Sequence, residues 1–520
     1  MTCNTLCVAL ALAAPVVGAD CSGLAKLSLR TATISVAEEV TAGTFQPQGA
    51  QGVKNVPPFC RVAGVLKPSA DSDIRFETWM PLKGWNSKFQ GIGNGGFAGA
   101  ITYAGLADAV RNGYAAASTD TGHQGGGTDA AWALGHPEKI IDFGYRAVHE
   151  TTVAGKAITE AFYGAKPKRS YFSSCSNGGR QALMEAQRYP EDYDGIIAGA
   201  PANYWTHLLG LAVSNMQATA GSPTTYIPQN KLPAIQAAAL AACDKNDGVE
   251  DGVIENPSSC KFDPGTLLCS GAENEKCLTE AQVKALRKLY DGLRDAKGKL
   301  LYPGYSPGGE ADQSGWGPWI TGGTPEKSLL FAFGTGFYKN FVFSDPAWDY
   351  KKFTDADFKT AAAKMAAIMN SNDPDLRRFK ERGGKLILYH GWCDAAIPAE
   401  AAIDYYQSVQ KKMGAKKTSE FVRLFMVPGM QHCGAGAGPN SFGQFGVAQG
   451  DARSNIGAAL EKWVEQGTAP EEIVASKNAN GKTRTRPLCV YPKTAKYKGT
   501  GSTDEAANFE CAEAAKSKKR

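Results

Sequence analysis

The sequence predicts an α/β protein, a mostly parallel sheet flanked by helices and interrupted by one large insertion. Two observations carry this prediction. Apolar, strand-like runs alternate with helical periodicity from about Ile74 to Ala200, and the alternation resumes at Lys385. Between them lies a stretch of about 180 residues in which the alternation stops. The boundaries that follow are 20–202 and 383–520 for the sheet domain and 203–382 for the insertion. A chain of 520 residues with 43% hydrophobic content can bury one large core or two smaller ones.

Residues 1–19 read as an export signal: an apolar stretch from Leu6 to Val17, then Val17-Gly18-Ala19, suits cleavage before Asp20. No Lys or Arg precedes the stretch, so the amino terminus alone supplies its positive charge. Next comes the glycine-rich run Phe89-Gln90-Gly91-Ile92-Gly93-Asn94-Gly95-Gly96-Phe97-Ala98-Gly99 after an early strand. Backbone N–H groups in such a loop can face a developing negative charge, and Gly95 or Gly96 is the candidate donor. A phosphate-binding loop is the rival reading, but the Lys-Ser/Thr ending is missing.

The run Ser174-Cys175-Ser176-Asn177-Gly178-Gly179 stands between the strand-like Tyr171-Phe172 and the helical Arg180-Gln181-Ala182-Leu183-Met184. A serine hydroxyl is a poor nucleophile unless it is held clear of the backbone, beside a base and near N–H donors. A tight strand-to-helix turn does this, and needs small residues two before and two after the serine, here Ser174 and Gly178. Asn177 is the second candidate oxyanion donor. An ordinary Ser/Asn/Gly turn is the alternative. Further on, Lys385-Leu386-Ile387-Leu388-Tyr389-His390 reads as a strand ending near Asp394, the candidate acid. Phe421 to Val427 reads as another, leading through Pro428-Gly429-Met430-Gln431 to His432, the candidate base. The chain order Ser176, Asp394, His432 is that of the α/β-hydrolase fold. Of the other histidines, His136 sits in a turn, His149 on a helical face and His207 in an aromatic segment, while His123 and His390 flank the expected active face.

Thirteen cysteines less Cys3 and Cys7 of the leader leave eleven, which in an exported chain suggests five disulfides and one free thiol. Cys175 precedes the serine and Cys433 follows the histidine. A bond between them would tie nucleophile to base; two buried thiols are the alternative.

Together the Cys175-Ser176 elbow, the Asp394 loop and His432-Cys433 resemble the Cys-Ser…Asp…His-Cys pattern of the tannase and feruloyl esterase family, which includes mono(2-hydroxyethyl) terephthalate hydrolase. The similarity extends to Tyr193-Asp194-Gly195-Ile196-Ile197-Ala198-Gly199-Ala200-Pro201, Trp316-Gly317-Pro318-Trp319, Arg486-Pro487-Leu488-Cys489 and Tyr497-Lys498-Gly499-Thr500-Gly501-Ser502. It implies disulfides Cys21–Cys60, Cys175–Cys433, Cys243–Cys260, Cys269–Cys277 and Cys489–Cys511, with Cys393 free. It also implies a secreted (extracellular or periplasmic) serine carboxylesterase acting on feruloyl or galloyl esters, small or attached to plant polysaccharide or polyphenol, with no organic cofactor. Other aromatic monoesters, terephthalate-type among them, are the second reading of the substrate, and a catalytically silent binding protein is the reading from another class.

The insertion is rich in Trp, Tyr and Phe and carries helical patterns over Lys231–Ala242, Thr279–Leu293 and Asp355–Asn370. A lid of this kind can wall a pocket over an ester carbonyl. Phe337 and Phe341 share one helical face near Tyr338 and are expected to roof the pocket, with packing inside the insertion as the alternative. The acidic run Asp244 to Glu255 lies between Cys243 and Cys260, and oxygen donors alternating with turn glycines suit calcium as well as a solvated loop. By resemblance, Asp244, Asp247 and Asp251 through side chains, and Val249 and Val253 through carbonyls, form a structural calcium site. Net charge is +5, of which Lys516, Lys518, Lys519 and Arg520 carry four, so nothing calls for nucleic acid. No apolar run other than the leader approaches the ~20 residues that span a membrane.

Overall fold

A computed structural model describes residues 18–479 and 481–513. The leader reading, residues 1–19, lies outside the described residues apart from Gly18 and Ala19, and so do the tail residues Lys516, Lys518, Lys519 and Arg520. Nine strands form the central sheet: β1 (Ala32–Val40), β2 (Phe59–Leu66), β3 (Ile74–Pro81), β4 (Lys88–Ile92), β5 (Ala115–Thr119), β6 (Arg169–Cys175), β7 (Gly195–Gly199), β8 (Lys385–Gly391) and β9 (Val422–Val427). Their order is β1-β2-β3-β5-β4-β6-β7-β8-β9. The pairs β1/β2, β2/β3 and β3/β5 are antiparallel; from β5 to β9 every pair is parallel.

Parallel strands are buried on both faces, and β7, β8 and β9 are almost wholly apolar for that reason. Their side chains divide alternately between two cores: Phe172, Ile196, Leu386, Leu388 and Leu424 point one way, Tyr171, Ile197, Ile387, Tyr389 and Phe425 the other. The helices α1 (Tyr103–Arg111), α2 (Ala147–Tyr163) and α3 (Asn177–Arg188) alternate with strands up to β7, and α3 begins directly after Ser176.

The antiparallel edge, β1 and β2, lies upstream of Ile74 and was not anticipated. On β1 partly buried and exposed residues mix, and its register slips between Ile34 and Val36. Bulges and half-exposed patterns are how edge strands avoid pairing with other chains, and they blur the alternation that marks a strand.

Between β7 and β8 no strand joins the central sheet. That segment holds α4 (Trp205–Ala220), α5 (Leu232–Cys243), α6 (Glu280–Asp291), α7 (Leu329–Gly336) and α8 (Asp355–Met369). Helix α6 starts at a capping box, Thr279 with Gln282, which satisfies two otherwise orphaned N–H groups. The core of the segment is continuous with the sheet's loops, because Phe97, Phe143 and Ala395–Ile397 pack into the same apolar cluster as Trp205, Leu286 and Phe341. Helix α9 (Glu400–Met413) lies between β8 and β9, and after β9 come α10 (Ile456–Gln466) and the hairpin of β10 (Glu472–Ala479) and β11 (Lys482–Cys489). Five disulfides link Cys21–Cys60, Cys175–Cys433, Cys243–Cys260, Cys269–Cys277 and Cys489–Cys511, and Cys393 is free and buried. Among the described residues no helix is long and apolar enough to cross a membrane.

Arg180 on α3 ties these layers together. It is fully buried, and its guanidinium donates to Asn177 Oδ1 (2.8 Å) and to the carbonyls of Phe143 (2.9 Å), Gly144 (2.7 Å) and Met369 (3.4 Å). It also lies against the rings of Phe143 and Trp205. These partners are dipoles, not a carboxylate, and burial pushes the guanidinium down to about 9. Arg180→Ala is expected to lower the free energy of unfolding by about 3–5 kcal/mol, because it orphans several buried carbonyls. Urea denaturation showing a loss under about 1 kcal/mol would remove Arg180 from this role.

Candidate active site

The turn after β6 brings strand and helix backbones almost into contact. A Cβ at Gly178 would collide with the side chain of Ser174, and one at Gly179 with the carbonyl of Gly199. Only small residues fit, which is why Ser174 substitutes for the usual glycine there. Ser176 itself adopts φ 67°, ψ −126°, a left-handed conformation that turns its side chain out of the sheet edge. Its backbone is held by Ser176 N–H to Gly199 O (3.0 Å) and by Ala202 N–H to Ser176 O (3.1 Å).

Ser176 Oγ lies 2.9 Å from His432 Nε2, and His432 Nδ1 lies 2.9 Å from Asp394 Oδ2. The three residues come from the ends of three strands, β6, β8 and β9, and Cys175–Cys433 joins the neighbours of the first and last. Asp394 is buried, and its Oδ1 accepts the N–H groups of Ala396 and Ile397, both at 2.8 Å. Burial alone would raise its pKa, but the facing imidazoles of His432 and His390 hold it well below the usual carboxylate range. His390, fully buried, places Nε2 3.1 Å from Asp394 Oδ2 and 3.0 Å from Ile397 O. One carboxylate oxygen therefore faces two rings.

The glycine loop lies opposite. Gly96, at φ 56°, packs so closely on Gly127 that a Cβ would not fit, and it lines the same pocket as Ser176, Asn177 and His432. Gly95 does not line this pocket. The loop is fixed by Asn94: its N–H donates to Gln181 Oε1 (3.1 Å), its Oδ1 accepts Gln181 Nε2 (2.7 Å), and its carbonyl accepts Asn177 Nδ2 (3.3 Å). His123 braces it from behind, with Nε2 2.7 Å from Phe97 O and its ring stacked on Trp132; burial pushes this histidine down to about 4, so it is neutral there.

The pocket over Ser176 is walled by Trp205, Leu208, Leu209, Trp319, Leu330 and Phe333, and Trp319 meets the His432 ring edge-on at 5.0 Å. Phe337 and Phe341 are not among the walls, which corrects the expectation that they roof it. Phe337 and Phe341 do share a face, their rings 5.7 Å apart, but in the π-helical turn Phe337–Phe343 that face packs into the insertion's core, the alternative reading of these residues. Phe341 stacks on Phe97 at 5.5 Å and thus backs the glycine loop. The walls were missed as pocket residues, although Trp316-Gly317-Pro318-Trp319 had been singled out as a string: there a second π-helical turn, Gly317–Thr321, buries Trp316 and leaves Trp319 on the pocket. Gln431, also missed, anchors the histidine loop to the insertion through Gly309 O (2.7 Å) and Asp312 Oδ2 (3.0 Å).

Asp244, Asp247 and Asp251 share the loop closed by Cys243–Cys260. Their carboxylates accept backbone N–H groups, Asp244 from Asp251 and Gly252, Asp247 from Val249, and Asp251 from Val253; Arg486 also donates to Asp251. Burial, then Asp251 and Asp244, push Asp247 up to about 6 against the pull of Arg486, which with Arg484 pairs Asp251. With the carbonyls of Val249 and Val253 this all-oxygen donor set fits a hard cation such as calcium.

The chain matches the family described as tannase and feruloyl esterase over residues 60–512. It is 42% identical to an uncharacterized esterase of Xanthomonas campestris pv. campestris, covering 95% of this chain and 91% of that protein. A probable feruloyl esterase B-2 of Aspergillus terreus is 36% identical over 87% of this chain and 86% of its own length. Among solved structures, feruloyl esterase B from Aspergillus oryzae superposes with a TM-score of 0.87 at 31% identity, covering 94% and 98% of the two chains. Tannin acyl hydrolase from Aspergillus niger gives 0.74 at 25% identity over 93% and 90%. With the α/β-hydrolase fold and the disulfide set already described, these similarities place the chain in the tannase and feruloyl esterase family, as a carboxylic ester hydrolase.

Proposed function

We propose that this enzyme is an exported serine esterase for aromatic acyl groups, hydroxycinnamoyl (feruloyl-type) esters foremost, with Ser176, His432 and Asp394 as its triad. The observation that carries the proposal is the hydrogen-bonded line Asp394–His432–Ser176 opening onto an apolar, aromatic-walled pocket. Ser176 Oγ attacks the ester carbonyl carbon while His432 Nε2 takes its proton. Asp394 stays ionised, because its proton affinity is held so low, and so fixes the Nδ1–H tautomer and balances the imidazolium. The N–H of Asn177, first residue of α3, has no acceptor inside its helix; with Gly96 it is aimed at the developing oxyanion. His432 then returns its proton to the leaving alcohol, activates water, and the acyl-enzyme is hydrolysed.

The walls bear on the choice of acyl group. Apart from His432 the lining has no charged side chain, so a free terephthalate carboxylate would be stranded, and three galloyl hydroxyls would find few partners. A ferulate ring, with one hydroxyl and one methoxy group, suits it better. The segment 203–382 acts as the lid, and five disulfides favour an oxidising, extracellular or periplasmic location. Calcium would be held by Asp244, Asp247 and Asp251 with the carbonyls of Val249 and Val253, neutralising the loop and bracing the lid without entering the chemistry. The disulfide closing that loop adds ~3 kcal/mol in the chain-entropy model.

Turnover of methyl ferulate is expected to exceed that of methyl gallate and of mono(2-hydroxyethyl) terephthalate, and Ser176→Ala should cut it by roughly 10³-fold or more with the fold intact by circular dichroism. A binding protein without catalysis would show no turnover with any of the three. Trp319→Ala should raise KM for methyl ferulate by about tenfold while sparing p-nitrophenyl acetate, and equal losses on both would take Trp319 out of acyl recognition. Chelation should lower the Tm and calcium restore it, a gain of about 2.7 kcal/mol at a hundredfold excess over Kd; an unchanged Tm, or the same response in Asp251→Asn, would count against the calcium site.

A further inference from the structure

Behind the sheet, away from the triad, His149 on α2, Glu185 on α3 and Asp192 in the loop before β7 converge. One potential ligand atom from each, a ring nitrogen and two carboxylate oxygens, lies within 4.8 Å of the others, the one such group among the described residues. Glu185 is 1% exposed, and neither of its oxygens has a hydrogen-bond donor. Asp192 is buried as well, with Oδ2 2.6 Å from His149 Nδ1. The His149 ring is fixed by stacking on Tyr189 at 3.8 Å, and at 28% side-chain exposure it leaves one side open to solvent.

The nearby lysine and arginine donate to backbone carbonyls and not to these carboxylates, although the Lys156 ammonium lies close beside them. Lys156 donates to the backbone carbonyl of Asp192, and Arg188 to the carbonyl of Ala367 while lying over Tyr145. Two facing carboxyls in a dry site cannot both stay ionised without a positive partner. Either a proton is shared within the group, on His149 or between the carboxyls, or a cation sits among them.

We propose that His149, Glu185 and Asp192 bind one divalent cation of the zinc class, with water completing its coordination. An imidazole nitrogen with two carboxylates suits zinc and its first-row neighbours, whereas calcium takes six to eight oxygens. The ion would clamp the last turns of α3, whose first turn carries Asn177, to α2 and to the strand that follows. Its effect falls on stability before it falls on chemistry.

The test uses the mature enzyme, stripped with chelator, saturated with calcium to fill the acidic loop, and titrated calorimetrically with Zn²⁺. One zinc per chain is expected, with a raised Tm and a zinc anomalous peak among the three side chains in diffraction. Glu185→Gln and His149→Gln should each weaken binding by at least about tenfold. No zinc uptake by the wild type overturns the proposal and leaves the shared proton as the answer. So does uptake whose affinity is unchanged in His149→Gln, a partly exposed position where the substitution leaves the buried carboxyls in place. An anomalous peak elsewhere, at His432 for example, overturns it even if a variant fails to fold.

Discussion

Everything in this molecule hangs on the left-handed backbone at Ser176. An L-residue held there costs about 1–3 kcal/mol, and such strain persists only where the surroundings over-determine it. Here they do. Gly199 and Ala202 grip the serine's N–H and C=O, Ser174 and Gly178 leave no room for alternatives, and Cys175 is bonded to Cys433. Cys433 has a positive φ of its own, 63°, so the segments bearing Ser176 and His432 are both bent out of ordinary conformation and covalently joined at the bend. The bond spans 258 residues of sequence, and displacements near an ångström at such a site can cost about a hundredfold in rate.

The loops around this turn are held by neutral dipoles more than by ion pairs. Arg180 gathers carbonyls from the loops at 143–144 and from the end of α8, and Asn94 and Gln181 exchange two hydrogen bonds between the glycine loop and α3. His123, neutral because it is buried, accepts the same logic behind Phe97. Formal negative charge is thereby concentrated where the site can use it, at Asp394, which faces two imidazoles and two backbone N–H groups. A scaffold built from dipoles leaves the local field to that one carboxylate.

The parallel half of the sheet was legible because burial on both faces writes continuous apolar runs: 385–390 and 421–427 were read as strands and form β8 and β9. The elbow and the order of Ser176, Asp394 and His432 were legible because close backbone approach restricts residue types in ways spacing records. What escaped has a common cause. β1 mixes half-buried and exposed residues and slips register against β2, and the π-helical turn at 317–321 breaks the 3.6-residue period on which an inference about helical faces relies. Phe337 and Phe341 do share a face, but it packs into the insertion's core and not the pocket, and Trp319, one turn from a fully buried Trp316, was not separated from it. Arg180 and Gln431 escaped for another reason: most of Arg180's partners, and the shorter of Gln431's two contacts, are backbone carbonyls, which leave no trace in side-chain identity.

That last class of contact also explains how a pocket made of the insertion can be registered on a triad made of the sheet. The insertion does not close over the site as a separate body with its own core; Phe97, Phe143 and Ala395–Ile397 belong to its apolar cluster. Phe341 packs against the residue that follows Gly96, Gln431 ties the residue before His432 to Gly309 and Asp312, and Trp319 rests its ring edge-on against His432 itself. The glycine loop, the His432 loop and the His432 ring are thus each touched by the insertion at one point. Variation in the walls can change the acyl group accepted while these three contacts keep the reacting atoms in register, so specificity and catalysis are separable on this fold even though they share one apolar core.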